Sequence, residues 1–174
     1  MYEKTYPEKR FNITLDFLKT HAPPPQTILD LGVENPFSEI MKANGYEVDN
    51  TKGEDLDLDF KIVENYNTEI TTAFEIFEHL LSPLQILQHI KSDYLFASVP
   101  LKLWFASAYK SKTDPWDRHY HEFEDWQFDW LLEKSGWEIL DRKKFTHPPK
   151  KIGFRPILRH FVPRYYLVYC QKKS

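Results

Sequence analysis

Apolar runs of four to seven residues, broken by polar turns and by stretches with helical periodicity, recur along the chain. Phe11, Leu15 and Leu18 stand at i, i+4 and i+7, which places them on one face of a helix predicted over residues 7–20. Ala22-Pro23-Pro24-Pro25 stops that helix. Residues 27–31 read as a buried strand, and Asn35 as the N-cap of a second helix with Pro36 at its first position and Gly45 as its stop. Residues 46–51 and 56–60 form the next two predicted strands, too close together for a crossover helix between them. A buried strand over 70–76 follows, then Ser82-Pro83-Leu84-Gln85, a capping box opening a helix to about Lys91 with Leu84, Leu87 and Ile90 inward. Residues 94–99 make a strand and 127–135 a helix closed by Gly136. Two strands over 137–145 and 165–170 complete the pattern. Alternation of this kind predicts a three-layer α/β domain whose sheet has seven strands, mostly parallel, with one antiparallel strand near the C-terminus.

Length and charge narrow the picture. At 174 residues the chain is expected to be one domain: an N-terminal helix and linker (1–26), a ligand-binding half (27–100), a lid (101–122) and a C-terminal part with a basic tail (123–174). No run of about 18 apolar residues occurs, and the first residues mix both charge signs, so a cytoplasmic protein without a membrane span is expected. Cys170 is the only cysteine, which excludes an intrachain disulfide and a thiolate metal cluster. All 26 acidic residues lie at or before Asp141, whereas the last 33 residues hold ten Lys and Arg and no acid. That bipolarity suits an anionic partner such as nucleic acid; the competing reading is a tail that complements the acidic body.

Two segments carry the chemistry. Ile28-Leu29-Asp30-Leu31-Gly32 is an apolar run ending in an acid and a glycine just before a helix, and Glu75-Ile76-Phe77-Glu78-His79 ends a second strand, with Pro83 four residues on. Together they resemble the signature segments of class I S-adenosylmethionine-dependent methyltransferases, in the group similar to the quinone-biosynthesis enzymes. Glu122-Phe123, a helix and Gly136-Trp137 extend the likeness, which covers residues 27–137. The resemblance implies a Rossmann-like fold, S-adenosylmethionine as cofactor and methyl transfer to a small-molecule acceptor. It also implies a cofactor site over Asp30, Gly32 and Glu34, with Glu75 beside it. The family's first turn is glycine-rich, and here Glu34 and Pro36 replace two of its glycines. Glu34 therefore either holds the cofactor's ammonium or ribose through a charge-assisted bond or fills the cleft. The family's ribose-binding acid falls to Asp49 if the strand is shortened, and the adenine amino group to Asp57 or Asp59. An acidic, solvated strand face is the competing account of those aspartates.

Residues 101–121 are rich in aromatic side chains and read as a substrate lid, with Tyr109, Trp116 and Tyr120 as acceptor contacts. Methyl transfer needs alignment in a dry pocket, and a base only if the nucleophile is a hydroxyl. His119 or His121 is placed to serve as that base, and His79 is a further candidate, though a strand-end histidine more often holds structure. His119-x-His121 with Glu122 also suggests metal ligation from one strand face, but no third ligand stands at a convincing spacing, so no metal is assigned. The rival functions are a binding or scaffold protein on the same fold and, less favoured, an RNA-binding protein using Lys150, Lys151, Arg155, Arg159, His160 and Arg164.

Overall fold

A computed structural model of the chain describes residues 7–114, 117–146 and 154–173. Its sheet runs through β1 (Thr27–Asp30), β2 (Glu47–Asn50), β3 (Ile70–Phe74), β4 (Tyr94–Pro100), β5 (Trp137–Phe145) and β6 (Tyr165–Lys172), in the spatial order β2-β1-β3-β4-β6-β5. The first four strands are mutually parallel, and β6 is antiparallel to both β4 and β5. The helices are α1 (Glu8–His21), α2 (Pro36–Ala43), α3 (Pro83–His89), α4 (Asp125–Lys134) and α5 (Phe154–Phe161), with 3₁₀ turns at Phe60–Asn65 and Phe77–His79.

Successive strand residues point to opposite faces and divide the core in two. Ile28, Ile70, Phe96 and Leu167 pack under α1 and α2 with Phe11, Phe17, Leu18 and Met41. Leu29, Ala73, Leu95 and Val168 face α3 and α4 with Ile86, Leu87, Phe128, Leu132 and Trp137. Each such side chain contributes about 1.5–3 kcal/mol on burial. An exposed pair such as Lys102–Glu124 contributes about 0–1 kcal/mol, so the two apolar layers dominate. Trp137, fully buried, also donates its indole Nε1–H to the Leu87 carbonyl at 3.1 Å, locking β5 to α3.

Three expectations are corrected. The sheet has six strands among the described residues, because 56–60 is not a strand. The Asp55 carbonyl accepts from Leu58 and Asp59, and its carboxylate accepts from the Asp57 amide at 3.1 Å, so the aspartates wind a turn leading into the 3₁₀ segment. Asp55, Asp57 and Asp59 therefore share no strand face. Ser82 makes no capping bond; the Asp57 carboxylate instead takes the amides of Leu81 and Ser82 at 2.8 and 2.7 Å, just before α3. Within α3, Ile86 is buried while Leu84 is only partly covered.

The α2 N-terminus matches its sequence signals. Asn35 Oδ1 accepts from the amides of Phe37 and Ser38, and Ser38 Oγ returns a bond from the Asn35 amide, with Pro36 at the first helical position. Asn35→Ala is expected to cost about 1–2 kcal/mol in urea unfolding. Leu140→Ala, at a half-exposed position of β5, should change stability by no more than about 0.5 kcal/mol. Equal effects of the two substitutions would contradict the capping account.

Candidate functional site

In an open α/β sheet the ligand crevice lies beyond the carboxyl ends of the strands where strand order reverses, which here is between β1 and β3. β1 ends at Asp30, 3% exposed. Its carboxylate accepts from Thr72 Oγ1 (2.6 Å), Ser38 Oγ (2.8 Å), Asn35 Nδ2 (3.1 Å) and Asn50 Nδ2 (3.1 Å). Burial raises its pKa, and the four donors pull it back toward the ionised form. Asp30 thus ties β1 to α2, β2 and β3 and holds the turn that follows. In that turn Gly32 has φ +104°, and its amide donates to Thr51 Oγ1 at 2.7 Å. The Glu34 side chain, 59% exposed, pairs with Lys42 of α2. It is directed onto the helix rather than across the turn, and that ion pair lowers its pKa.

Among the remaining acids, Asp49 is exposed on β2 and Asp59 is exposed ahead of the 3₁₀ segment, while Asp57 is committed to the turn before α3. Glu75 follows β3 at φ +60°, a left-handed conformation costly for a side chain with a Cβ. Two bonds with Ser98 hold it there: its amide donates to the Ser98 carbonyl (3.0 Å), and Ser98 Oγ donates to its Oε1 (2.8 Å). Arg10 of α1 lies 3.5 Å from Glu75 Oε2 and stacks over Tyr165. Burial raises the pKa of Glu75, opposed by the charge of Arg10.

One turn later the chain buries a second acid. Glu78 is 1% exposed, and neither carboxylate oxygen has a hydrogen-bond partner among the described residues. Its pKa is pushed well above the ordinary carboxyl range, first by burial and then by Glu75. The Glu78 carbonyl accepts the amides of Tyr120 (2.8 Å) and His121 (3.2 Å), which fastens the predicted lid to this turn. His79 Nδ1 bonds to the Arg118 carbonyl (2.9 Å), and His79 Nε2 lies 3.7 Å from Glu78 Oε1. His119 meets His79 edge to face, with ring centroids 4.9 Å apart. His119 Nδ1 lies 3.1 Å from Glu122 Oε1, which also accepts the Tyr109 amide, while Glu122 Oε2 faces Arg164 at 3.6 Å. Burial lowers the pKa of His119, opposed by its bond to the Glu122 carboxylate.

The structure therefore gathers Glu78, His79 and His119, each with a ligand atom within 4.8 Å of the others. It does not gather His119, His121 and Glu122 as ligands of one ion. Residues 119–121 are not a strand, so the shared-face geometry is absent; His121 stacks on Phe123 and its Nε2 approaches the Leu81 carbonyl at 3.4 Å. Tyr109 and Tyr120 are half exposed, and Tyr109 donates its hydroxyl to Asp117 at 2.8 Å. Trp116, Lys150 and Lys151 lie outside the described residues, as does the side chain of Arg155. Three bases beyond Asp141, namely Arg142, Lys144 and Arg164, face Asp129, Asp125 and Glu122 of the acidic body. Sequence reasoning did not single out Arg10 or the amide donors Asn35 and Asn50 as parts of this region. Nor did it foresee that the Glu78 carboxylate would be left unpartnered; the charged pair Glu78-His79 was the available signal.

No protein-family model and no curated protein sequence matches the chain. Solved structures do. A SAM-dependent methyltransferase from Archaeoglobus fulgidus aligns with TM-score 0.62 and 14% identity over 93% of this chain and 94% of that one. The chain has the class I methyltransferase fold. The fold is not confined to one activity, since the cyclase SpnF aligns with TM-score 0.60 and 12% identity over 99% of this chain and 85% of its own. The N-terminal domain of EvdMO1, solved with S-adenosylhomocysteine bound, aligns with TM-score 0.54 and 13% identity over 98% and 82%. Among the described residues no helix is long and apolar enough to cross a membrane.

Glu122 is the link between lid and site. Glu122→Ala removes the acceptor of the Tyr109 amide and the partner of His119. Amide exchange at Tyr109 should then speed up by about 5–30-fold, the equivalent of about 1–2 kcal/mol. Exchange at Phe96 and Ala97 in β4 should not change. Uniform acceleration across both would mean that Glu122 supports the whole fold instead.

Proposed function

We propose that the chain is an S-adenosylmethionine-dependent methyltransferase acting on a small-molecule acceptor. The observation that carries this is the positive-φ Gly32 turn that follows the Asp30 network, with Glu75 at the neighbouring strand end of the β1/β3 crevice. A positive-φ glycine lets backbone approach a ligand closely, and because Glu34 is engaged by Lys42, its side chain does not block the turn. The residues fit the cofactor: Gly32 contributes backbone, Asp49 an exposed carboxylate near the end of β2 for a vicinal diol, and Glu75 a second carboxylate. Asp30 and Asp57 act by positioning the turns on either side, and Asp59 flanks the adenine side. When bound, the cofactor supplies an activated methyl group on sulfonium sulfur.

This chain's own residues would then align the acceptor and exclude water. The described part of the lid is docked on the turn after β3 through the Glu78 carbonyl, with the Tyr109 and His119 rings 5.3 Å apart, and in this reading Tyr109, Tyr120 and His119 contact the acceptor. In a dry pocket, orientation alone supplies much of the rate, and His119, whose pKa burial lowers, is suited to take a proton from a hydroxyl acceptor. His121, turned onto Phe123, is less well placed for that step.

Calorimetric titration with S-adenosylhomocysteine tests the reading. Wild type should bind with micromolar Kd, about −8 kcal/mol. Gly32→Val, which forces a Cβ into the left-handed conformation, should weaken binding by about tenfold or more, or about 1.4 kcal/mol. Glu34→Gly should alter it by less than about threefold, under 1 kcal/mol. Absence of binding at millimolar ligand by folded protein would defeat the proposal and favour a scaffold role on the same fold.

A further inference from the structure

We propose that Glu78, His79 and His119 form a binding site for a divalent first-row transition-metal ion. Three observations converge on it.

The first is the unpartnered carboxylate. Glu78 is 1% exposed with both oxygens unbonded among the described residues, although buried acids ordinarily find donors. Asp30, in the same protein, has four. A bound cation would supply the partner that this carboxylate lacks among the described residues.

The second is the tautomer of each histidine. A carbonyl can only accept, so the His79 Nδ1 facing the Arg118 oxygen carries a proton, and in the neutral tautomer the lone pair is on Nε2. That Nε2 is the atom 3.7 Å from Glu78 Oε1. In His119 the Glu122 carboxylate bonds to Nδ1, which again leaves Nε2 as the lone-pair nitrogen. Metal-binding histidines are held this way, with the distal nitrogen donating to a carbonyl or carboxylate that fixes the ring and raises its basicity.

The third is size and charge. The three ligand atoms lie within 4.8 Å of one another. Bonds of about 2.0–2.2 Å to nitrogen and oxygen call for ligand spacings near 3 Å, so the site must contract by about 1–2 Å around an ion. His79, with a quarter of its side chain exposed, has room to swing in. Nearby positive charge is already committed: Arg10 faces Glu75, and Arg164 faces Glu122 and the Leu101 carbonyl. Three carboxyl groups, Glu75, Glu78 and Glu122, stand around the site against the two arginines, and an ion bound there would displace any proton held by Glu78, as ligation by a carboxylate requires. Two imidazoles and one carboxylate select zinc, cobalt, iron, nickel or manganese over magnesium or calcium, and they leave coordination positions open.

Those open positions are the functional point, which rests on the methyltransferase reading. An acceptor hydroxyl bound to the ion becomes far more acidic. His119, as a ligand, then no longer serves as the base: the hydroxyl proton passes to solvent, the oxygen attacks the methyl carbon as the carbon–sulfur bond breaks, and the sulfonium becomes a neutral thioether. The acceptor class is therefore an alcohol or phenol, giving an O-methyl product.

The test uses full-length protein stripped with chelator and desalted, titrated with Co²⁺ by visible absorption and with Zn²⁺ by calorimetry, without cofactor. One ion per chain is expected, with micromolar or tighter affinity. His79→Ala, His119→Ala and the neutral isostere Glu78→Gln should each weaken it by about tenfold or more, as should Glu122→Gln through the outer shell. His89→Ala, on α3, should leave it unchanged, and near-ultraviolet circular dichroism establishes that each variant is folded. No uptake at millimolar ion, or uptake indifferent to His79→Ala and His119→Ala, would overturn the site. Metal binding alongside failed S-adenosylhomocysteine binding would keep the site and remove the methyl-transfer role. The converse would keep the methyltransferase and remove the metal.

Discussion

The arrangement of the crevice depends on one buried carboxylate, that of Asp30. A charge taken out of water costs several kcal/mol unless it is met by donors. Here two hydroxyls and two amides supplied by α2, β2 and β3 meet it. Each bond to a charged group is worth about 1.5–3 kcal/mol, so the network offsets the burial and at the same time fixes the relative position of three elements. The Gly32 turn, the α2 N-terminus and the end of β2 are consequences of that arrangement. Asn35 serves it twice, capping α2 with Oδ1 and donating to Asp30 with Nδ2.

Glu78 is the contrasting case. It is as buried as Asp30 and stands at the same edge of the sheet, but among the described residues its carboxylate has no hydrogen-bond partner. The surrounding polar groups are oriented away: His79 turns its N–H to the Arg118 carbonyl, His119 to Glu122, and the amides of Tyr120 and His121 take the Glu78 carbonyl rather than its carboxylate. The strained backbone at Glu75, three residues earlier, belongs to the same edge.

Local signals in the sequence located the starts of α1, α2 and α3, the β1 turn and the Glu75-x-x-Glu78-His79 segment, because each rests on residues within a few positions of one another, whereas α5 was not foreseen. Asn35-Pro36 and Gly136 behaved as their backbone preferences dictate. Alternation failed at Asp55, Asp57 and Asp59, where short acidic side chains and carbonyls bond to the local backbone and wind a turn that a two-residue period cannot reveal. Convergence across the chain was equally hidden. His119 reaches Glu78 only because the lid folds back onto that turn, forty residues earlier, and Arg10 reaches Glu75 across the face of the sheet. Spacing within 119–122 pointed to a ligand set that irregular backbone disperses.

The antiparallel end of the sheet carries a reporter of its integrity. Cys170 on β6 lies between Leu95 of β4 and Ile139 of β5, fully buried, and burial holds its thiol far above the ordinary range. Only a thiolate reacts readily with alkylating reagents. In the folded protein this single sulfur is therefore both inaccessible and chemically quiet, and it becomes reactive only when β6 separates from its neighbours. Because the chain has no second cysteine, the rate of alkylation reads the opening of one place in the molecule, the seam where the parallel half of the sheet joins its antiparallel end.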